Sequence, residues 1–134
     1  MNRQLILGTG IDLVENKRMR QILERWGSRF IARVFLPREQ AYCDAKAMPY
    51  IYYAARFAVK EAVAKAFGTG IGPRLGWLDI EVVNNPESGA PAVTLGGGAR
   101  RLQQERRAVA LEISLSHTRH FSVAQALLLG RETD

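Results

Sequence analysis

Apolar side chains recur at helical spacing in two segments of the chain. The first segment shows the i, i+3, i+4, i+7 pattern of an amphipathic helix from Glu15 to Trp26. The second carries a stripe of small residues, which predicts a long central helix that begins at Pro49. The stripe consists of Ala54, Ala55, Ala58, Ala62 and Ala66. Gly68 is placed to end this helix, because glycine readily adopts the left-handed conformation of a helix C-terminus.

Short apolar or alternating runs predict five strands. They are Leu5–Gly10, Ile80–Val83, Ala92–Leu95, Val109–Leu115 and Phe121–Leu129. Shorter helices are predicted from Ser28 to Val34 or Phe35, from Pro37 to Ala47 and from Ala99 to Arg107. Together these elements predict a single α+β domain over residues 1–134, with an antiparallel sheet packed on one long central helix.

Composition favours one compact domain in a reducing compartment. The 134 residues are 47% hydrophobic and 24% charged, which is ordinary for a globular protein. Cys43 is the only cysteine, so no internal disulfide can form. The apolar runs are too short for a secretory signal or a bilayer span. We therefore expect a cytoplasmic protein without a membrane partner.

The net charge of +6 predicts an anionic partner, such as a nucleic acid, an anionic membrane, a phosphorylated small molecule or an acidic protein. Seven basic residues lie between Glu15 and Glu39, against three acids. They form either a solvated basic face or a docking face for an acidic helix. A small nucleic-acid-binding module is the alternative function, although the sequence has no RNP, KH or zinc-ligand signature.

A few polar residues could carry chemistry. Asp12 lies inside an apolar run, where it is either a helix N-cap or structural aspartate or a metal ligand at the end of a strand. Glu61 precedes Lys65 by one helical turn, which fits a surface ion pair or a site for a metal ion and a phosphate. The strand pattern places His117 on the inward side, beside Thr118 in a turn with several phosphate-oxygen donors.

Three stretches, GTGIDLVENKRM, RFAVKEAVAKAFGTGIG and SLSHTRHFSVAQAL, occur in order. Their combination resembles the holo-acyl-carrier-protein synthase family of phosphopantetheinyl transferases. The resemblance implies the family's fold, with Asp12 and Glu61 as Mg²⁺ ligands and Lys65 as the lysine that contacts phosphates, all three serving catalysis. The implied coenzyme A contacts are Lys65, Gly68, Gly70, Gly72, His117 and Thr118, and the implied carrier-docking residues are Arg18, Arg25, Arg29 and Phe30.

The resemblance also implies an activity and its partners. The enzyme would transfer 4'-phosphopantetheine from coenzyme A to a serine of apo-acyl carrier protein, in fatty acid biosynthesis, and release 3',5'-ADP. It would act as a homotrimer with its sites between subunits. A carrier domain of a polyketide or peptide synthetase is an alternative client.

Overall fold

Two antiparallel sheets and five α-helices make up the part of the chain that the structure describes. The structure is a computed structural model that describes residues 3–132, so both ends of the predicted 1–134 domain lie outside the described residues. The larger sheet has the order β1-β5-β4, with β1 at Gln4–Glu15, β5 at Phe121–Arg131 and β4 at Ala108–His117. The smaller sheet pairs β2 (Ile80–Asn84) with β3 (Pro91–Leu95).

The helices follow the chain between these strands. They are α1 (Asn16–Trp26), α2 (Ser28–Val34), α3 (Pro37–Asp44), α4 (Pro49–Ala66) and α5 (Gly97–Glu105), with one 3₁₀ turn at Trp77–Asp79. The 18-residue helix α4 packs across β1 and β5. The predicted α+β class, with an antiparallel sheet on one central helix, is confirmed.

Close backbone contact joins α4 to β1. The alanine stripe of α4 is fully or almost fully buried, and its side chains are small enough for the helix to approach the sheet directly. A Cβ atom at Gly10 would collide with the carbonyl oxygen of Ala62, and one at Gly8 with that of Ala66. The two glycines therefore permit this approach, a role that is not apparent from the sequence alone.

Several predicted boundaries were wrong. β1 continues to Glu15, so Asp12 lies within a strand, opposite Ala124, and is neither a helix N-cap nor at a strand end. Helix α1 consequently begins at Asn16. Helix α3 ends at Asp44 and not at Ala47. Strand β1 continues further than predicted because its antiparallel pairing with β5 extends to Glu15.

Two corrections concern the C-terminal half. Helix α5 runs from Gly97 to Glu105 and not from Ala99 to Arg107, and the missing side chains of Gly97 and Gly98 leave room for the Asp79 carboxylate. A register shift between Ala108 and Ala110 turns Val109 outward, so it is half exposed and does not share the inward face of the strand.

Candidate functional site

Asp12, Glu61 and Lys65 come together where β1 crosses the C-terminal half of α4. Asp12 follows the buried Gly10 on the face of β1 that packs against the helix. The Lys65 ammonium group donates to Asp12 Oδ1 at 3.3 Å and to the carbonyl oxygen of Ile11 at 2.9 Å. Glu61, one turn earlier, forms none of the ion pairs found within residues 3–132. The structure thus contradicts a simple Glu61–Lys65 surface pair.

Burial perturbs both carboxyl groups, and the charge of Asp12 adds to this effect at Glu61. The pKa of Asp12 is raised above its ordinary value mainly by burial, against which the Lys65 hydrogen bond and charge act. The pKa of Glu61 is raised by burial and also by the charge of Asp12, and Lys65 offsets only part of this. Two carboxylates held near enough to repel each other are a favourable place for an additional cation.

The donor set fits a hard cation such as Mg²⁺. This ion prefers carboxylate oxygens, and proteins commonly supply only one or two of them and leave the other positions to water and phosphate. Within the described residues, no cluster of three or more His, Cys, Asp or Glu side chains could form an all-protein cage. Asp12 and Glu61 are therefore suited to a metal ion that is shared with a phosphorylated substrate.

A glycine loop follows α4 directly. Gly68 and Gly70 have positive φ angles of 80° and 64°, and Gly72 pairs with Leu75 in an isolated bridge. A Cβ atom at any of the three glycines would meet no atom within 4 Å, so the loop backbone is open to a ligand. Arg106 fixes the start of this loop, because its guanidinium group donates to the carbonyl oxygens of Phe67 (2.7 Å) and Leu7 (2.9 Å).

His117 and Thr118 lie apart from the carboxylate pair. His117 ends β4, and its ring meets the ring of Tyr52 near the start of α4, with the centroids 5.4 Å apart. It is on the predicted face of the strand but is exposed. The hydroxyl group of Thr118 accepts hydrogen bonds from the backbone N–H groups of His120 (3.2 Å) and Phe121 (3.1 Å). Tyr52 and the Ala66 end of α4 are about 21 Å apart at the rise of an α-helix.

The proposed docking residues lie along α1 and α2. Arg18 borders a groove of about 450 Å³ that reaches Asp12, and Arg29 borders a neighbouring groove of about 560 Å³. Arg25 is exposed and stacks on Trp26, with its guanidinium carbon 5.1 Å from the ring centroid. Phe30 is only partly exposed, since its ring packs 6.2 Å from Phe35. The arginines thus offer charge to a partner, and Phe30 contributes to the groove wall.

Sequence reasoning missed the buried ion pair beside the site. The ammonium group of Lys60 donates to Glu39 Oε1 (2.7 Å) and to the carbonyl oxygens of Ile80 (2.7 Å) and Trp77 (3.0 Å). Burial lowers the pKa of Lys60, and the charge of Glu39 opposes this effect. The sequence signal was the Lys60–Glu61 dipeptide, in which one charge faces the core while the next faces the site.

Comparisons with known proteins agree on one family. Residues 8–126 match the family model of the 4'-phosphopantetheinyl transferase superfamily. The chain is 43% identical to the holo-acyl-carrier-protein synthase of Syntrophus aciditrophicus, over 94% of this chain and 98% of that protein. It is 45% identical to the corresponding synthase of Desulforudis audaxviator, over 94% and 95%.

A solved structure leads to the same conclusion. The Helicobacter pylori holo-acyl-carrier-protein synthase, determined in complex with coenzyme A, superimposes with a TM-score of 0.79 and 32% identity. The match covers 90% of this chain and 98% of that one. Among residues 3–132, no helix is both long enough and apolar enough to cross a membrane.

Proposed function

The chain belongs to the 4'-phosphopantetheinyl transferase superfamily and is an enzyme of its holo-acyl-carrier-protein synthase group, and from this premise we propose how its residues perform the transfer. The predicted family resemblance and the expectation of an enzyme are thereby confirmed. The nucleic-acid-binding module is not supported by these relatives. The observation that carries the mechanism is the pair of carboxyl groups that faces Lys65 between β1 and α4.

Asp12 and Glu61 would hold Mg²⁺ against the pyrophosphate of coenzyme A. When bound, the ion would neutralise charge on the pyrophosphate and favour departure of 3',5'-ADP. The side chain of Lys65, now paired with Asp12 at 3.3 Å, would turn towards the phosphate oxygens once a cation satisfies that carboxylate. Positioning and charge neutralisation are the main contributions that a protein makes to such a phosphoryl-type transfer.

The coenzyme would lie between two copies of the chain. The open backbone at Gly68, Gly70 and Gly72 suits a close approach of the nucleotide, whereas His117 and Thr118 suit a phosphate at the other end of α4. Because Tyr52, which His117 contacts, and Ala66, at the glycine loop, lie about 21 Å apart along α4, a nucleotide that contacts both groups would take the turn from a neighbouring subunit.

An exposed apolar surface supports the proposed homotrimer. On the face of the large sheet that points away from α4, Ile11 and Leu13 are 62% and 64% exposed. Their β5 partners are Gln125 and Val123. Apolar patches of this kind commonly mark protein interfaces. Light scattering should report a trimer that Leu13→Glu dissociates, and a monomeric wild-type protein would contradict the assembly.

The carrier protein would dock on α1 and α2. Arg18 presents positive charge beside the groove that leads to Asp12, and Arg29 does so beside the second groove, where Phe30 would add an apolar contact. Arg25 lies on the same helix as Arg18, and the three charges together suit an acidic recognition helix. A serine on that helix would then reach the pyrophosphate. We propose the fatty acid carrier protein as the client and the cytoplasm as the compartment, in which the free thiol of Cys43 would stay reduced.

One experiment tests the reaction and its metal requirement. Purified protein is incubated with coenzyme A, Mg²⁺ and apo-acyl carrier protein, and the carrier is examined by intact mass spectrometry. We expect a gain of one phosphopantetheine group that EDTA abolishes and added Mg²⁺ restores. Transfer that persists in EDTA would contradict the metal assignment, and modification only of synthetase carrier domains would contradict the proposed client.

A further inference from the structure

Asn16 is a buried amide at the junction between β1 and α1. Its side chain has no exposed surface. The Nδ2 group donates to the carbonyl oxygens of Thr118 (3.0 Å) and Arg119 (3.2 Å), more than 100 residues away in sequence. Its backbone N–H donates to the carbonyl oxygen of His120 at 2.8 Å. One residue thus binds three successive carbonyl groups of the turn between β4 and β5.

Ser122 fixes the orientation of this amide. The buried Ser122 hydroxyl group donates to Asn16 Oδ1 at 2.8 Å. Both Nδ2 hydrogens therefore point to the turn, and the amide uses both of its donors and its acceptor oxygen. A buried polar network in which every group has a partner holds a single geometry.

His117 is also held by its pairing with Ser122 and by its ring contact with Tyr52, whereas the turn after it depends mainly on Asn16 for its attachment to the body of the protein. His117, Thr118, Arg119 and His120 are all exposed. Thr118 closes the turn locally, through its backbone N–H to the carbonyl oxygen of Phe121 at 2.8 Å. Such a local bond shapes the turn but does not fix its place relative to β1 and α1, whereas Asn16 does both.

We propose that Asn16 is a positioning residue for the coenzyme, which acts by holding His117 and Thr118 in place. The inference rests on the proposed function, because it takes the turn to contact a phosphate of coenzyme A. Asn16 also directly follows the strand that carries Asp12 and begins the helix that carries Arg18. It therefore fixes the turn between β4 and β5 relative to both Asp12 and α1.

The test separates positioning from stability by changing both buried partners. In the double variant Asn16→Leu/Ser122→Ala no buried polar group loses its partner, and the freed carbonyl groups of the exposed turn can bind water. Replacing both partners of a buried hydrogen bond by apolar groups can be nearly neutral for folding. We expect a melting temperature close to that of the wild type and a KM for coenzyme A raised about tenfold, as the loss of two hydrogen bonds implies.

The KM for the carrier protein and kcat show whether the effect is confined to coenzyme binding. The KM for the carrier protein and kcat should change by less than about twofold, because an interaction lost from coenzyme binding alone raises that KM selectively. Ser122→Ala alone is the comparison variant, since it keeps both Nδ2 donors and only loosens the orientation of the amide, and it should raise the KM for coenzyme A by less than the double variant does. A folded double variant with unchanged KM for coenzyme A would overturn the inference, as would an equal rise in both KM values.

Two further readouts distinguish this inference from the proposed function. His117→Ala tests whether the turn contacts the coenzyme; an unchanged KM for coenzyme A would refute that part of the proposed function. Hydrogen exchange at the backbone amide of position 16, which donates to the carbonyl oxygen of His120, needs no coenzyme and reports the hold on the turn directly. Faster exchange in the double variant is expected, and unchanged exchange would overturn the role of Asn16 whatever the function.

Discussion

Removing the buried charge of Lys60 should cost a large part of the stability of the protein. Lys60 and Glu39 are both without exposed surface. The three donors of the ammonium group are all used, and Glu39 also accepts hydrogen bonds from the backbone N–H groups of Leu36 (2.9 Å) and Val82 (2.9 Å). Lys60→Met would keep the approximate length of the side chain but leave the Glu39 carboxylate buried without a counter-charge.

The expected magnitude follows from that uncompensated charge. Breaking a buried ion pair by removing one partner costs about 3–5 kcal/mol, compared with a total of roughly 5–15 kcal/mol for a domain. Lys60→Met/Glu39→Gln removes both charges, although the carbonyl groups of Trp77 and Ile80 still lose their donor. We therefore expect the double variant to be less stable than the wild type, yet more stable than Lys60→Met by about 1–3 kcal/mol.

These differences in the free energy of unfolding are measured by urea denaturation of the wild type, the two single variants and the double variant. The unfolding midpoints are compared only where the m-values agree, because a changed m-value signals a changed denatured or native state. Glu24→Gln is the control: it breaks the exposed Arg20–Glu24 pair, at 3.2 Å, and should cost about 0.5 kcal/mol or less. A double variant that is no more stable than Lys60→Met would refute the reasoning from charge compensation.

Three further results are expected. Gly10→Ala should lower the free energy of unfolding by ~3 kcal/mol or more, because the added methyl group would collide with the backbone of α4. Gly72→Ala, where the added methyl group meets open space, should change it by less than about 0.5 kcal/mol. Equal losses of stability in the two variants would contradict the close packing of β1 on α4. Glu61→Gln should abolish turnover and raise the melting temperature at pH 7. Burial and the charge of Asp12 raise the pKa of Glu61, so in the wild type the contribution of Glu61 to stability declines as pH rises above 4.5. If the Glu61→Gln variant shows the same decline of stability with pH, the decline does not come from Glu61. Cys43 should resist alkylation at pH 8 in the folded protein, because burial raises the pKa of its thiol to about 12. Rapid labelling without denaturant would contradict this prediction. The contribution of the thiol to stability is present below pH 9 and is lost as pH rises towards 12.

Periodicity in the sequence was sufficient to predict α4 and the succession of strands along the chain, because these elements bury a regular face. It misjudged β1, where the usual pattern is inverted. Ile11 and Leu13 are apolar and exposed, while Gly10 and Asp12 face the helix. A single sequence does not show which face of a strand a neighbouring helix covers, so Asp12 was mistaken for a residue at the end of the strand or a helix cap.

Long-range polar pairs were the other part that the sequence could not provide. Lys60 and Glu39 are 21 residues apart, and Asn16 and Ser122 are 106 apart. Each residue type alone has an ordinary place on a protein surface, and only the tertiary fold brings the partners together. Asp12 and Glu61 could be predicted as metal ligands only because the motifs that contain them resemble those of a known family.

The contact between Gly10 and Ala62 sets the separation of the two main chains that carry the acids. Because backbone meets backbone at this crossing, that separation depends little on the size or rotamer of any side chain. Substitutions such as Val59→Ile or Val63→Ile, elsewhere in the same buried cluster, could therefore alter thermostability while the Asp12–Glu61 distance stays the same. The crossing keeps the backbone spacing constant, and it allows the heat tolerance of this enzyme to be engineered separately from the spacing of the two carboxyl groups.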